Sequence, residues 1–194
     1  MWALVEDNTI TKLINNPKGM VIGDTRYSRN IFSFRWSNAE REAIGLYEVE
    51  FDNTNKKDEA YYNNTTQTFA FVGGKVTASY GSATARALND VTENEVVTPG
   101  LKSKKKTEVK RQAAGVLQNT DWYAVRKADA GTAIPSAVTT HRAAVRTKSE
   151  EMETAIDNAA NVDALAALYQ YVNTGTEENP VMERPLGEWP VLEV

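Results

Sequence analysis

A single histidine, His141, stands in the 194 residues, and cysteine is absent. A general base or a metal centre built on that imidazole needs carboxylates or further nitrogen ligands converging on it. His141 lies between Val138 and Val145 on a helical repeat, which suits a half-buried or surface side chain better than a catalytic one. Asp52, Asp58 and Glu59 offer calcium-type oxygens, but their spacing fails the twelve-residue loop and its terminal glutamate. The chain has no Gly-x-Ser-x-Gly elbow and neither of the glycine-rich loops that cradle phosphate. The expectation is a protein with no catalytic residue, no cofactor and no metal. Lys102, Lys104, Lys105 and Lys106 form the one basic run; no aromatic residue interleaves with it as in single-strand nucleic-acid binders, so a solvated, internally balanced helix face is expected. The most distinctive constellation is Leu117-x-x-Thr120-Asp121-Trp122, followed by Arg142 and Arg146 one helical turn apart. Thr120 or Asp121 can cap a new turn, Trp122 can cover a joint between helices, and the guanidinium planes can stack on Trp122 or Trp189 or pair with Asp121 or Asp129.

The elements that must hold these residues change period halfway along the chain. Ala3 and Val5 alternate with polar neighbours, Asp7-Asn8 tolerates positive φ, and an extended pattern resumes at Ile10, predicting a hairpin. Met20–Ile22 and Ile31–Phe34 read as short strands or ordered loop. Ser37-Asn38-Ala39-Glu40 is a capping-box pattern that opens a short helix over 38–44. Leu46–Phe51 alternates as a half-buried strand does, and 66–72 and 75–80 flank Gly73-Gly74 as a tight hairpin. Residues 89–100, with Pro99-Gly100, read as a linker between a β-rich domain over 1–88 and an α-helical domain over 101–194. Helices are expected over 101–118, 136–158 and roughly 162–172, the last capped by Asn161. The tail from Gly175, with Pro180, Pro185 and Pro190, should run extended, with Leu186 and Trp189 packing back on the helices. The fold class is therefore α+β: a small antiparallel β-rich region with tight hairpins, then an antiparallel helical hairpin plus a third helix.

Charge placement supplies the helical topology. Residues 102–111 carry six Lys/Arg against one Glu, net +5, and 150–163 carry five Asp/Glu and no base, net −5. Each block sits at the end of its helix that the macrodipole disfavours, and antiparallel pairing brings the two blocks together. The overall charge of −4 is spread over both halves, so nucleic acid is not an expected partner. No apolar run approaches the ~20 residues of a membrane span, so no membrane insertion is expected, and the start lacks a basic region followed by an apolar one. The absence of cysteine fits synthesis in a reducing cytoplasm.

At Leu117, Thr120, Asp121 and Trp122, then Arg142 and Arg146, then Trp189 and Pro190, the chain resembles tail-associated proteins of tailed bacteriophages, particularly the C-terminal module of the phage tail assembly chaperone family. The likeness covers roughly residues 108–190. Residues 126–135 replace the short acidic, proline-containing linker usual in that module, and an extra helix and loop separate Arg146 from Trp189. What the resemblance implies is a non-enzymatic protein that binds a phage tail or tail-fibre component, as an assembly chaperone or a minor part of the virion. It would work in the host cytoplasm during assembly, with retention in the tail and self-association left open. Tyr47, Tyr61 and Tyr62 are expected interface aromatics, because aromatic residues dominate interface energy. A fibre-tip module that binds host glycan is the first alternative. A cell-wall polymer hydrolase, which needs two converging carboxylates, is the second.

Overall fold

The computed structural model describes residues 1–193, which divide into two compact units, Met1–Thr84 and the remainder from Ala85 on. The first unit carries β1 (Trp2–Glu6), β2 (Thr9–Ile14), β3 (Met20–Ile22), β4 (Thr25–Tyr27), a 3-10 turn (Arg29–Phe32), α1 (Asn38–Glu42), β5 (Leu46–Asp52), β6 (Tyr62–Asn63), β7 (Gln67–Val72) and β8 (Lys75–Tyr80). β9 (Thr84–Ala85) falls at the boundary. The second carries β10 (Val91–Glu93), β11 (Val96–Thr98), α2 (Leu101–Gln118), α3 (Asp121–Ala130), α4 (Ser136–Asn158), α5 (Val162–Ala167), β12 (Val172–Asn173) and β13 (Met182–Glu183).

Both hairpins read from the sequence form. Asp7 and Asn8 sit at φ 50° and 61°, Gly73 and Gly74 at 60° and 76°, the doubly positive geometry that matches strand twist in a two-residue turn. They join a five-stranded sheet of order β2-β1-β5-β8-β7. The β5–β8 pairing is parallel, with Val49 opposite Val76 and Phe51 opposite Ala78, so the sheet is mixed where an all-antiparallel one was expected. Burial explains the arrangement: Val76 and Ala78 of β8 are fully buried and need neighbours on both sides, whereas β7 has no fully buried side chain and can take the edge. Inside the curl the core is small, Ala3, Val5, Val49, Val76 and Ala78, rimmed by larger residues such as Ile10, Tyr47, Phe69 and Phe71. On the other face Ile14, Ile31 and Leu46 pack with Trp2, Tyr27 and Trp36. The capping box closes as expected: the Ser37 hydroxyl accepts from the Glu40 N–H, and the Glu40 carboxylate accepts from the Ser37 N–H at 2.7 Å.

In the second unit α2 and α4 have the expected bounds and lie antiparallel. Lys106 meets Asp157 at 2.8 Å and Lys110 meets Glu153 at 3.3 Å, so the basic and acidic blocks do face each other. Val109 and Ala113 of α2, Val138, Val145, Met152 and Ile156 of α4 and Leu165 of α5 are buried between the helices. Three local expectations need correction. Residues 91–98, placed in a linker, form the β10–β11 hairpin, with Asn94 and Glu95 at φ 48° and 66°. The third helix stops at Ala167, five residues short, because the tail intervenes: the Leu186 N–H donates to the Leu168 carbonyl at 3.0 Å. An unforeseen helix, α3, occupies 121–130 and ends on Gly131 at φ 71°. Trp189 does return to the helices, its indole N–H donating to Gln112 Oε1 at 3.1 Å.

Candidate functional site

Arg142 organises the joint between α2 and α3. Its Nη1 donates to the Leu117 carbonyl at 2.9 Å and to Thr120 Oγ1 at 2.7 Å, and it lies 2.8 Å from Asp121 Oδ1. The Leu117 carbonyl belongs to the last turn of α2 and also accepts from the Thr120 N–H at 3.0 Å, so the cation adds a charged donor at the negative end of the dipole. Thr120 is buried and does not cap α3 by its side chain; its hydroxyl donates back to Leu117 at 2.9 Å. Four of the singled-out residues therefore meet at one point. Arg146 lies outside that point, donating weakly to the Arg142 carbonyl at 3.4 Å.

Trp122 does not cover a helix joint. It is 51 % exposed on α3, its ring 3.9 Å from that of Tyr123, and its cation comes from its own helix: the Arg126 guanidinium lies 4.6 Å from the Trp122 ring centre and 5.4 Å from that of Tyr123. Arg126 Nε is buried with no hydrogen-bond partner, so the aromatic faces are what hold that edge of the group. No residue of α3 is buried, and Val125 is 66 % exposed beside Trp122. Arg126 escapes notice in the sequence because its i,i+4 relation to Trp122 gains meaning only once 121–130 is a helix.

The other expected residues disperse. Trp189 contacts α2, and Pro190 lines a shallow cleft with Ser136 and His141 at the start of α4. His141 is buried, with Nδ1 unpartnered. Among the described residues no group of three His, Cys, Asp or Glu converges as metal ligands would. Asp52 and Asp58 turn back on their own backbone, accepting from the Thr54 and Ala60 amides at 2.9 and 2.8 Å; the Thr54 hydroxyl first and its amide second hold the Asp52 carboxyl below its ordinary value of 3.8. Lys102 donates to the Asp157 carbonyl and Lys106 pairs with its carboxylate, so two lysines of the basic run are engaged inside the unit.

Of the expected interface tyrosines, Tyr61 is 7 % exposed and is withdrawn from any contact surface. Tyr47 packs on Phe71 with ring centres 4.8 Å apart, and Tyr62 is half-buried under the Lys57 ammonium, 5.7 Å from its ring centre. On the outer face of the sheet Trp2, Asn38, Glu42, Glu48 and Glu50 line a cleft of about 480 Å³, whereas the Tyr47 ring, in register with Ala3, turns into the curl. Arg41, which reaches the same cleft, is already engaged from all three nitrogens: it donates to the carbonyls of Ile31 and Ser33 and to Asn38, and lies over the Trp2 ring at 4.8 Å.

No family model, no curated protein and no solved structure matches the chain.

Proposed function

We propose that the chain is a non-enzymatic tail protein of a tailed bacteriophage, which holds a tail or tail-fibre component as an assembly chaperone or a minor virion part. The observation that carries this reading is helix α3. A ten-residue helix is below the length at which isolated helices persist in water, yet this one buries none of its side chains and displays Trp122 and Val125 beside a stacked Arg126. Tryptophan, tyrosine and arginine are the residues enriched where interfaces concentrate their binding energy. Arg142 fixes the base of that helix through Leu117, Thr120 and Asp121, so the motif that resembles the tail chaperone module is the hinge-pin of the exposed face.

The test is co-purification of the tagged chain from infected cells, beside the variant Trp122→Ala. Recovery with tail or fibre subunits, lost in the variant while its circular dichroism is unchanged, is the expected result. Recovery of the chain alone, or with nucleic acid, counts against the reading.

The glycan-binding alternative is favoured by one observation, the outer-face cleft that combines Trp2 with the amide of Asn38 and three glutamates. Aromatic rings beside planar hydrogen-bonding groups suit a sugar. Binding to host cells that Glu48→Ala abolishes and Trp122→Ala leaves intact would place the function there instead.

A further inference from the structure

The curled sheet is open along one seam. β2 and β7 are its end strands, no ladder joins them, and their Cα atoms come within 8 Å across the gap. A groove of about 610 Å³ follows the seam, lined by residues 10–13 of β2 and 67–69 of β7. Successive side chains of a strand point to opposite faces, so a groove lined by consecutive residues runs along strand edges and not over a face.

The two edges are unlike. β2 is blunted: its register to β1 shifts at Leu4/Val5, leaving Thr11 as an extra residue, and Lys12 stands next to it. Bulges and edge lysines are the devices that keep other strands away. β7 has neither bulge, charge nor proline over Gln67–Val72. Its pairing fixes what the edge offers. Val72 and Lys75 close the two-residue turn and exchange hydrogen bonds, so Val72, Ala70 and Thr68 are spent on β8, while Gln67, Phe69 and Phe71 turn their N–H and C=O groups outward.

We infer that the β7 edge accepts an extended segment of a partner protein as a sixth strand in the seam. A helix cannot use this edge, because its own backbone groups are already paired. A second copy of the chain would bring β8 attached to its β7, and β2 stands across the seam in the way. A lone strand needs the edges roughly 9.6 Å apart, two strand spacings, so the seam must widen modestly to admit it. Register defines the segment's chemistry. Ile10, Leu13 and Phe69 point into the curl, where Ile10 and Phe69 pack on the core, so the segment's inward side chains are apolar. Lys12 and Thr68 point outward, and Lys12 is the one charged residue lining the groove, so an outward Asp or Glu faces it. This surface shares no residue with α3, and the inference stands or falls apart from the tail reading.

The test is backbone amide exchange, followed by NMR on the full chain, with a synthetic hexapeptide of alternating valine and threonine in which one central threonine is replaced by glutamate. At millimolar peptide the amides of Gln67, Phe69 and Phe71 should exchange at least tenfold more slowly. Gln67→Pro removes an outward N–H and no ladder bond, and should weaken binding severalfold with the fold retained. Lys12→Glu should weaken the glutamate peptide and favour its lysine counterpart. Unchanged exchange at those three amides overturns the inference, as does protection confined to other residues. Concentration-dependent dimerisation abolished by Gln67→Pro would assign the edge to a second copy and overturn it equally. Protected amides alongside failed capture of tail subunits would sink only the tail reading.

Discussion

Arg142 and Arg146 share a helix face, yet their surroundings assign them different weights. Arg142 is 14 % exposed in its side chain and serves Leu117, Thr120 and Asp121 at once; hydrogen bonds to charged groups contribute about 1.5–3 kcal/mol, and truncation removes three of them from one joint. Arg142→Ala should therefore destabilise the second unit by about 2 kcal/mol in urea unfolding, while Arg146→Ala, at an exposed site with one long bond, should stay within about 0.5 kcal/mol. Gly45 makes a comparable contrast in the first unit. It sits at φ 77°, and a Cβ there would meet the Val5 carbonyl oxygen at 2.4 Å, with the Val5 N–H bonded to the Gly45 carbonyl at 2.8 Å. Gly73 has a similar φ but open space. Gly73→Ala should cost about 1 kcal/mol from backbone strain alone, and Gly45→Ala clearly more, measured by thermal unfolding of the two variants side by side.

Among the elements, the α2–α4 hairpin takes its direction from charge and its cohesion from apolar contact. Lys106 and Lys110 find Asp157 and Glu153 across the pair, and exposed pairs of this kind select a pairing more than they stabilise it. Lys106→Glu and Asp157→Lys should each lower the unfolding midpoint, and the double variant should recover it; raising salt to 1 M should shrink all three differences. A double variant no better than the sum of the singles would remove charge as the selector. Helix α3 behaves differently, since nothing in its own unit buries it. Its amides should exchange far faster than those of α4, and should slow when a partner covers Trp122.

At the scale of the whole chain, two units with separate cores share one response to acid. The Asp90 carboxyl is held below its ordinary value of 3.8 by the Ser103 hydroxyl first and the Gly100 N–H second, at the N-terminus of α2. In the first unit, the Ser37 N–H and hydroxyl hold Glu40 below 4.5. A carboxyl with a depressed folded value favours the folded state above its unfolded value and loses that contribution as pH falls through the folded one. Stability should therefore decline below about pH 4.5 for the first unit and below about 3.8 for the second. Asp90→Asn should flatten the acid limb of a urea-midpoint titration in the second unit alone. At the alkaline end Lys106, raised above 10.5 chiefly by its bond to Asp157, contributes below that value and ceases to as pH rises past the folded one.

Local chemistry was written in the sequence wherever a neighbour along the chain decided it. Asp7-Asn8 and Gly73-Gly74 set their turns, Ser37 and Glu40 their capping box, and Asn161 its cap, because each depends on backbone conformation or on a bond within a few residues. The helical hairpin was legible too, since the opposed charge blocks and the apolar repeats of α2 and α4 agree on one pairing. Tertiary structure alone decided the rest. The interior place of β8 follows from its buried Val76 and Ala78, but the parallel direction of its pairing with β5 is set by how the chain returns to the sheet, which strand alternation does not encode. Helix α3 lacks a buried stripe, so no apolar period announced it, and the Trp122 partner became Arg126 instead of Arg142 for that reason. The seam between β2 and β7 exists because distant strands curl toward each other, and nothing within either strand specifies how closely its far edge is approached.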